Sequence, residues 1–113
     1  MFTVLGFYKF KKINLLKKKR IIIQNAFINH KVRGSLVISK EGLNGTISGK
    51  LQSVNFIKKK IKSLFKIKNF DTENLSKSKF QPFFRSKVKI KNEVVPMGLN
   101  ISTKSKKSNY LEP

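Results

Sequence analysis

At 113 residues the chain has room for one ordinary domain with a single modest core, and ten phenylalanines and a dozen isoleucines spread along it supply the apolar side chains. It has no cysteine and one histidine, His30, which excludes disulfides, thiolate metal sites and cysteine nucleophiles and argues against a zinc site or a Ser/His/Asp relay. With 26 basic and 5 acidic residues the formal charge is +21, so a polyanion is the expected partner and nucleic acid the first guess.

Nearly all the basic residues are lysine, which an AT-rich genome imposes on any solvated surface together with asparagine and isoleucine. The three arginines, Arg20, Arg33 and Arg85, are more telling, because a planar guanidinium fork suits phosphate in a way an ammonium does not. No run approaches the roughly 18 to 20 apolar residues of a membrane span, and Met1 leads straight into a strand-like segment, so no membrane partner is expected and the cytoplasm is the default compartment.

Phe2 to Phe10 alternates bulky apolar residues with Thr3, Gly6 and Lys9 and predicts a first strand. Asn14 is placed to cap a helix from Leu15 to about Asn29, with Leu16, Ile23 and Phe27, and the pair Ile22 and Ala26, at helical spacing and Lys17 to Arg20 facing out. Gly34 falls just beyond its expected C-terminal turn, where His30 acts as a cap. Ser35 to Ser39 and Thr46 to Ser48 read as strands joined by Lys40-Glu41-Gly42-Leu43-Asn44-Gly45, whose Asn-Gly pair is the strongest short hairpin signal. Leu51 to about Lys66 predicts the most secure helix, with Leu51, Val54, Ile57, Ile61, Leu64 and Phe65 on one face and Lys58, Lys59, Lys60 and Lys62 between them.

A short strand is possible at Lys66 to Phe70, and the polar stretch Asp71 to Lys79 reads as an exposed loop. Phe84 to Lys91 alternates cleanly, Phe84, Ser86, Val88 and Ile90 against Arg85, Lys87, Lys89 and Lys91, a strand with one strongly basic face. The order predicts an α+β, ferredoxin-like βαββαβ sandwich, an antiparallel sheet with both helices on one face and room for an extra edge strand. Residues 1–98 form this domain, and the lysine- and serine-rich residues 99–113 read as a linker.

The candidate binding residues are Arg33, Asn44, Arg85, Lys87, Lys89 and Lys91. On the last strand the basic side chains stand about 7 Å apart, close to the spacing of successive phosphates; a face kept basic to prevent edge-to-edge association is the plainer reading. Arg33 is a further phosphate contact, or a charge complementing a helix end. The Glu41 to Gly45 loop either presents Asn44 and backbone N–H groups to an anion, or is a hairpin in which Gly42 and Gly45 serve backbone geometry and Glu41 binds the loop's own backbone. Phe83 and Phe84 either pack in the core or, if exposed, stack on a base. Lys58 to Lys62 read as a solvated helix face.

Three stretches in order resemble the N-terminal domain of the bacterial rhodanese-type tRNA uridine hydroxylases: Val32 to Gly49 with its Glu41-Gly42-Leu43-Asn44-Gly45 element, Phe84 to Val95, and the closing Asn109-Tyr110-Leu111-Glu112-Pro113. The opening Leu5-Gly6-Phe7-Tyr8-Lys9-Phe10 also fits. The resemblance implies an acylphosphatase-like fold that helps hold tRNA while a rhodanese domain, in cis or in trans, hydroxylates the wobble uridine at C5 with molecular oxygen. The reactive cysteine belongs to that other domain, so no catalytic residue, cofactor or metal is expected here, and DNA is not an expected partner. Two alternatives stand: a general or ribosome-associated RNA-binding protein, and an acylphosphatase. Acylphosphatases hold phosphate in a glycine-rich loop after the first strand, where this chain has Lys9-Phe10-Lys11-Lys12-Ile13-Asn14.

Overall fold

The computed structural model describes residues 1–91. The expected linker, the Asn109–Pro113 motif and residues 92–95 of the late-strand motif lie outside the described residues. The elements run β1 (Phe2–Phe10), α1 (Leu16–Asn29), β2 (Arg33–Ser39), β3 (Gly42–Gly49), α2 (Leu51–Phe65), β4 (Thr72–Ser78) and β5 (Ser86–Ile90). Five strands make one sheet in the order β4-β1-β3-β2-β5. The first four pair antiparallel, the ferredoxin-like and acylphosphatase-like arrangement, and β5 lies parallel to β2. The sheet is therefore mixed rather than purely antiparallel.

The parallel strand follows from where β4 ends. Ser78 pairs with Phe2 at the lower end of one edge, and Ser86 pairs with Gly34 at the lower end of the other. Residues 79–85, reaching roughly 23 Å when extended, cross under four strand spacings of roughly 19 Å. The crossing is anchored midway, where Gln81 Nε2 donates to the Ser48 carbonyl (3.2 Å), and the chain can only re-enter the sheet running upward beside β2.

Both helices cover one face. Leu5, Phe7, Leu36, Ile38, Leu43 and Ile47 point from the sheet to Ile23 and Phe27 of α1 and Val54, Ile57, Ile61 and Phe65 of α2, all of them buried. Each helix ends the same way. Lys31 (φ 56) and Lys66 (φ 57) take the left-handed conformation. Val32 N then donates to Phe27 O (2.9 Å) and Ile67 N to Lys62 O (2.8 Å), with Val32 and Ile67 buried behind them. These are Schellman closures in which burial of the next apolar residue outweighs the cost of a non-glycine left-handed residue. Gly34 thus does not end α1; it lies inside β2. His30 caps α1, as expected, and its ring stacks on Phe56 at 4.0 Å. At the other end Leu15, not Asn14, is the capping residue and makes no side-chain cap bond; Asn14 Oδ1 accepts instead from Lys19 Nζ.

Three stretches depart from the pattern their sequence suggests. The Asn44-Gly45 pair does not turn: Ser39 pairs with Gly42, so Lys40 and Glu41 form the hairpin tip and Asn44-Gly45 lie within β3. Leu43 and Ile47 must both face the helices from the central strand, and that alternation carries Gly45 between them into the sheet, overriding turn propensity. Asp71 to Lys79 is not a loop either, since Thr72–Ser78 is an edge strand, whereas no strand forms at Lys66 to Phe70. β4 leaves most of its side chains exposed, so it has no apolar alternation to read and is held by its backbone ladder with β1.

α1 also grips β5. Arg20 Nε donates to the Val88 carbonyl (3.0 Å), while the Gln24 amide donates to the Ser86 carbonyl (2.7 Å) and accepts from the Val88 N–H (2.9 Å). Arg20, expected simply to face outward, is exposed but holds the strand. Among the described residues no helix is long and apolar enough to cross a membrane.

Candidate functional site

The helices cover one face of the sheet, so the register decides what the other face displays. Opposed residues share a face, which gives two rows across the strands: Tyr8, Asn44, Val37 and Lys89, and below it Gly6, Thr46, Ser35 and Lys87. A third row places Val4, Ser48 and Arg33 together, with Arg85 beside Arg33 because the Gly34 N–H donates to the Arg85 carbonyl (2.7 Å). The face grades from aromatic on β1, through amide and hydroxyl groups on β3 and β2, to basic on β5. Gly6 puts no side chain into the middle row and leaves it flat.

Arg33, Arg85, Lys87, Lys89 and Lys91 are all exposed. Lys87 is held below its ordinary lysine value, first by the like charge of Lys89 and also by that of Arg85. A row of cations that close, with no acid between them, is a site whose repulsion an incoming polyanion would relieve.

The aromatic side had not been identified from the sequence. Tyr8 and Phe10 lie edge to face, with ring centroids 5.5 Å apart, on the uncovered side of β1, and Phe10 is about half exposed. The available signal was that β1 is apolar on both faces, one more than a two-layer fold covers. Asp71 holds this end of β1: its carboxylate accepts from Phe10 N (2.8 Å) and Lys9 Nζ (3.1 Å), and its own N–H donates to the Tyr8 carbonyl (2.9 Å). The Phe10 N–H, followed by Lys9, keeps this carboxyl below its ordinary 3.8. A lowered carboxyl contributes stability above about pH 4 and loses it as pH falls through the lowered value. Asp71→Ala should therefore cost, after solvent screening, on the order of 0.5 kcal/mol at pH 7, and in thermal melts the difference from the wild type should shrink as pH falls through the lowered carboxyl value.

The structure thus brings Arg33, Asn44, Arg85, Lys87 and Lys89 to one face and leaves Glu41, Gly42 and Gly45 out of it. At the hairpin tip the Glu41 N–H is already taken up within the fold, donating to Ser39 Oγ (3.0 Å), and the Glu41 and Lys40 carbonyls accept from Lys11 N and Ile13 N. Asn44 lies in β3, half-buried and already engaged within the fold. Gly42 (φ 153) does serve backbone geometry, since a Cβ there would stand 2.1 Å from the Lys9 carbonyl oxygen. Phe84 does not pack in the core: it is 95% exposed. On the opposite side of the molecule, Lys58 pairs with Glu73 and Lys62 lies over the Phe70 ring, so part of the helical lysine charge is spent locally. Among the described residues no three of His, Cys, Asp or Glu gather to hold a metal.

The comparisons with known proteins agree with this fold. Residues 2–94 match the UPF0176 acylphosphatase-like domain. The chain is 54% identical over 113 residues to the tRNA uridine(34) hydroxylase of Pelagibacter ubique, covering all of this chain and 38% of that protein. It is 31% identical to the proteins of the same name from Wolbachia sp. subsp. Brugia malayi, covering 99% of this chain and 41% of the relative, and from Rickettsia bellii, covering 97% and 44%. The chain therefore spans about two-fifths of the length of these relatives. Among solved structures it is similar in fold to the acylphosphatases of Coxiella burnetii (TM-score 0.56, 9% identity, 77% of this chain and 92% of that one) and Bacillus subtilis (0.52, 10%, 80% and 98%).

Proposed function

Because the chain belongs to the UPF0176 acylphosphatase-like domain family, we propose that it is the tRNA-holding part of a tRNA uridine(34) hydroxylase, acting in the cytoplasm. Hydroxylation itself falls to the remainder of the longer protein, which we take to be a rhodanese domain. The observation that carries this reading is the sheet face that neither helix covers among the described residues, on which Arg33, Arg85, Lys87 and Lys89 form a cationic margin beside Ser35, Asn44 and Thr46, with Tyr8 and Phe10 across the sheet. Phosphates would be neutralised along the margin while polar and aromatic groups meet ribose and base. The acylphosphatase alternative has less support, since the Lys11 and Ile13 N–H groups after β1 already donate to the β2–β3 tip.

The test is a titration of labelled tRNA, with an unrelated folded RNA as competitor, at two salt concentrations. We expect micromolar binding that weakens roughly 100-fold between 50 and 200 mM salt, as about four phosphate contacts dictate, and a preference for tRNA that survives at the higher salt. Equal affinity for both RNAs would make the protein a general RNA binder instead.

A further inference from the structure

Above the start of β5, Gly34, Ser35, Phe83, Phe84, Arg85 and Lys87 line a groove of about 290 Å³. Its composition is specific. Phe84 is 95% exposed, the most exposed large apolar side chain among the described residues, so its ring offers a free face for stacking. Its neighbour Phe83 is partly buried, and the next residue's carbonyl is fixed by the Gly34 N–H at 2.7 Å, so the ring stands on a segment anchored on both sides. Arg85 and Lys87 supply cations one and three residues along the chain from it, and the exposed Ser35 supplies a hydroxyl that can donate or accept.

We propose that this groove binds one unpaired nucleotide, the base stacked on Phe84, the phosphate held by Arg85 and Lys87, and Ser35 within reach of a ribose or base edge. The inference rests on the RNA reading above and narrows it from RNA in general to a single-stranded segment. In a duplex both faces of each base are already stacked, so a lone aromatic platform gains nothing from it, whereas a loop or flank offers a free π-face. The groove lies where the chain crosses from β4 to β5, at the end of the cationic row, so a strand tracking that row arrives at the ring.

The experiment measures affinity by fluorescence anisotropy for two RNAs of equal phosphate count, a single-stranded oligonucleotide and a perfect duplex, using the wild type, Phe84→Ala, Phe84→Trp and Phe80→Ala. Phe80 is also 70% exposed but does not line the groove. Expected is a loss of roughly 5- to 100-fold for Phe84→Ala on the single strand, no loss on the duplex, an unchanged salt slope, near-full affinity for Phe84→Trp and no effect of Phe80→Ala. An unchanged single-strand affinity in Phe84→Ala, or equal losses on both RNAs, overturns the nucleotide site while leaving the RNA reading standing. A wild type that binds neither RNA overturns both.

Discussion

Gly34→Ala is expected to remove most of the domain's stability. The residue has φ 120, and a Cβ built there would lie 2.1 Å from the Thr46 carbonyl oxygen and 2.8 Å from the Ile47 Cα. Those are backbone atoms of β3, the central strand, tied on both sides by its ladders with β1 and β2, so they cannot step aside as a side chain would. Strain from the positive φ adds to the clash. A cost above about 3 kcal/mol follows, a melting temperature lower by at least roughly 12 °C for a domain of this size. Ser35→Ala, one residue away and exposed, should shift it by less than about 4 °C. Circular dichroism melts on both variants check this, and a Gly34→Ala shift as small as that of Ser35→Ala would show that β2 and β3 can separate locally.

Reversing the charge of Lys87 and Lys89 together is expected to lower tRNA affinity by about 100-fold or more, against less than about 5-fold for reversing Lys59 and Lys60 on α2. Both pairs change the net charge equally. They differ in place, one on the uncovered face and one on the helix that covers the other side of the sheet, and at physiological salt a charge is screened within about 8 Å. The first variant should also flatten the salt dependence by about two phosphates. Its fold should hold, because both side chains are exposed and point away from the buried Val88. Equal losses from the two variants would mean that a diffuse positive field, not a site, attracts the RNA.

How far the sequence could be read depended on whether burial wrote a period into it. β1 was legible to the residue because Leu5 and Phe7 must face the core, and α2 because Val54, Ile57, Ile61 and Phe65 share a buried stripe. The basic face of β5 was legible for the same reason, Val88 being buried while Lys87 and Lys89 point away. β4 buries almost nothing and left no pattern. Asn44-Gly45 carried a local turn signal that the long-range pairing of β3 overrode, and this moved Asn44 from a loop tip to the middle of the candidate site. Tyr8 and Phe10 became candidates only once the helices were seen to occupy a single face.

The grip of Arg20 and Gln24 on β5 has a consequence for the molecule's two lateral margins. Gln24 imitates a neighbouring chain, meeting one outward carbonyl and one outward amide of β5 with a single side-chain amide, and Arg20 takes the next carbonyl. A foreign polypeptide seeking to extend the sheet there finds the polar groups already occupied, a safeguard against self-association. Among the described residues no such plug is in place at β4, so recruitment of another protein by strand addition would begin on the margin farthest from the cationic row.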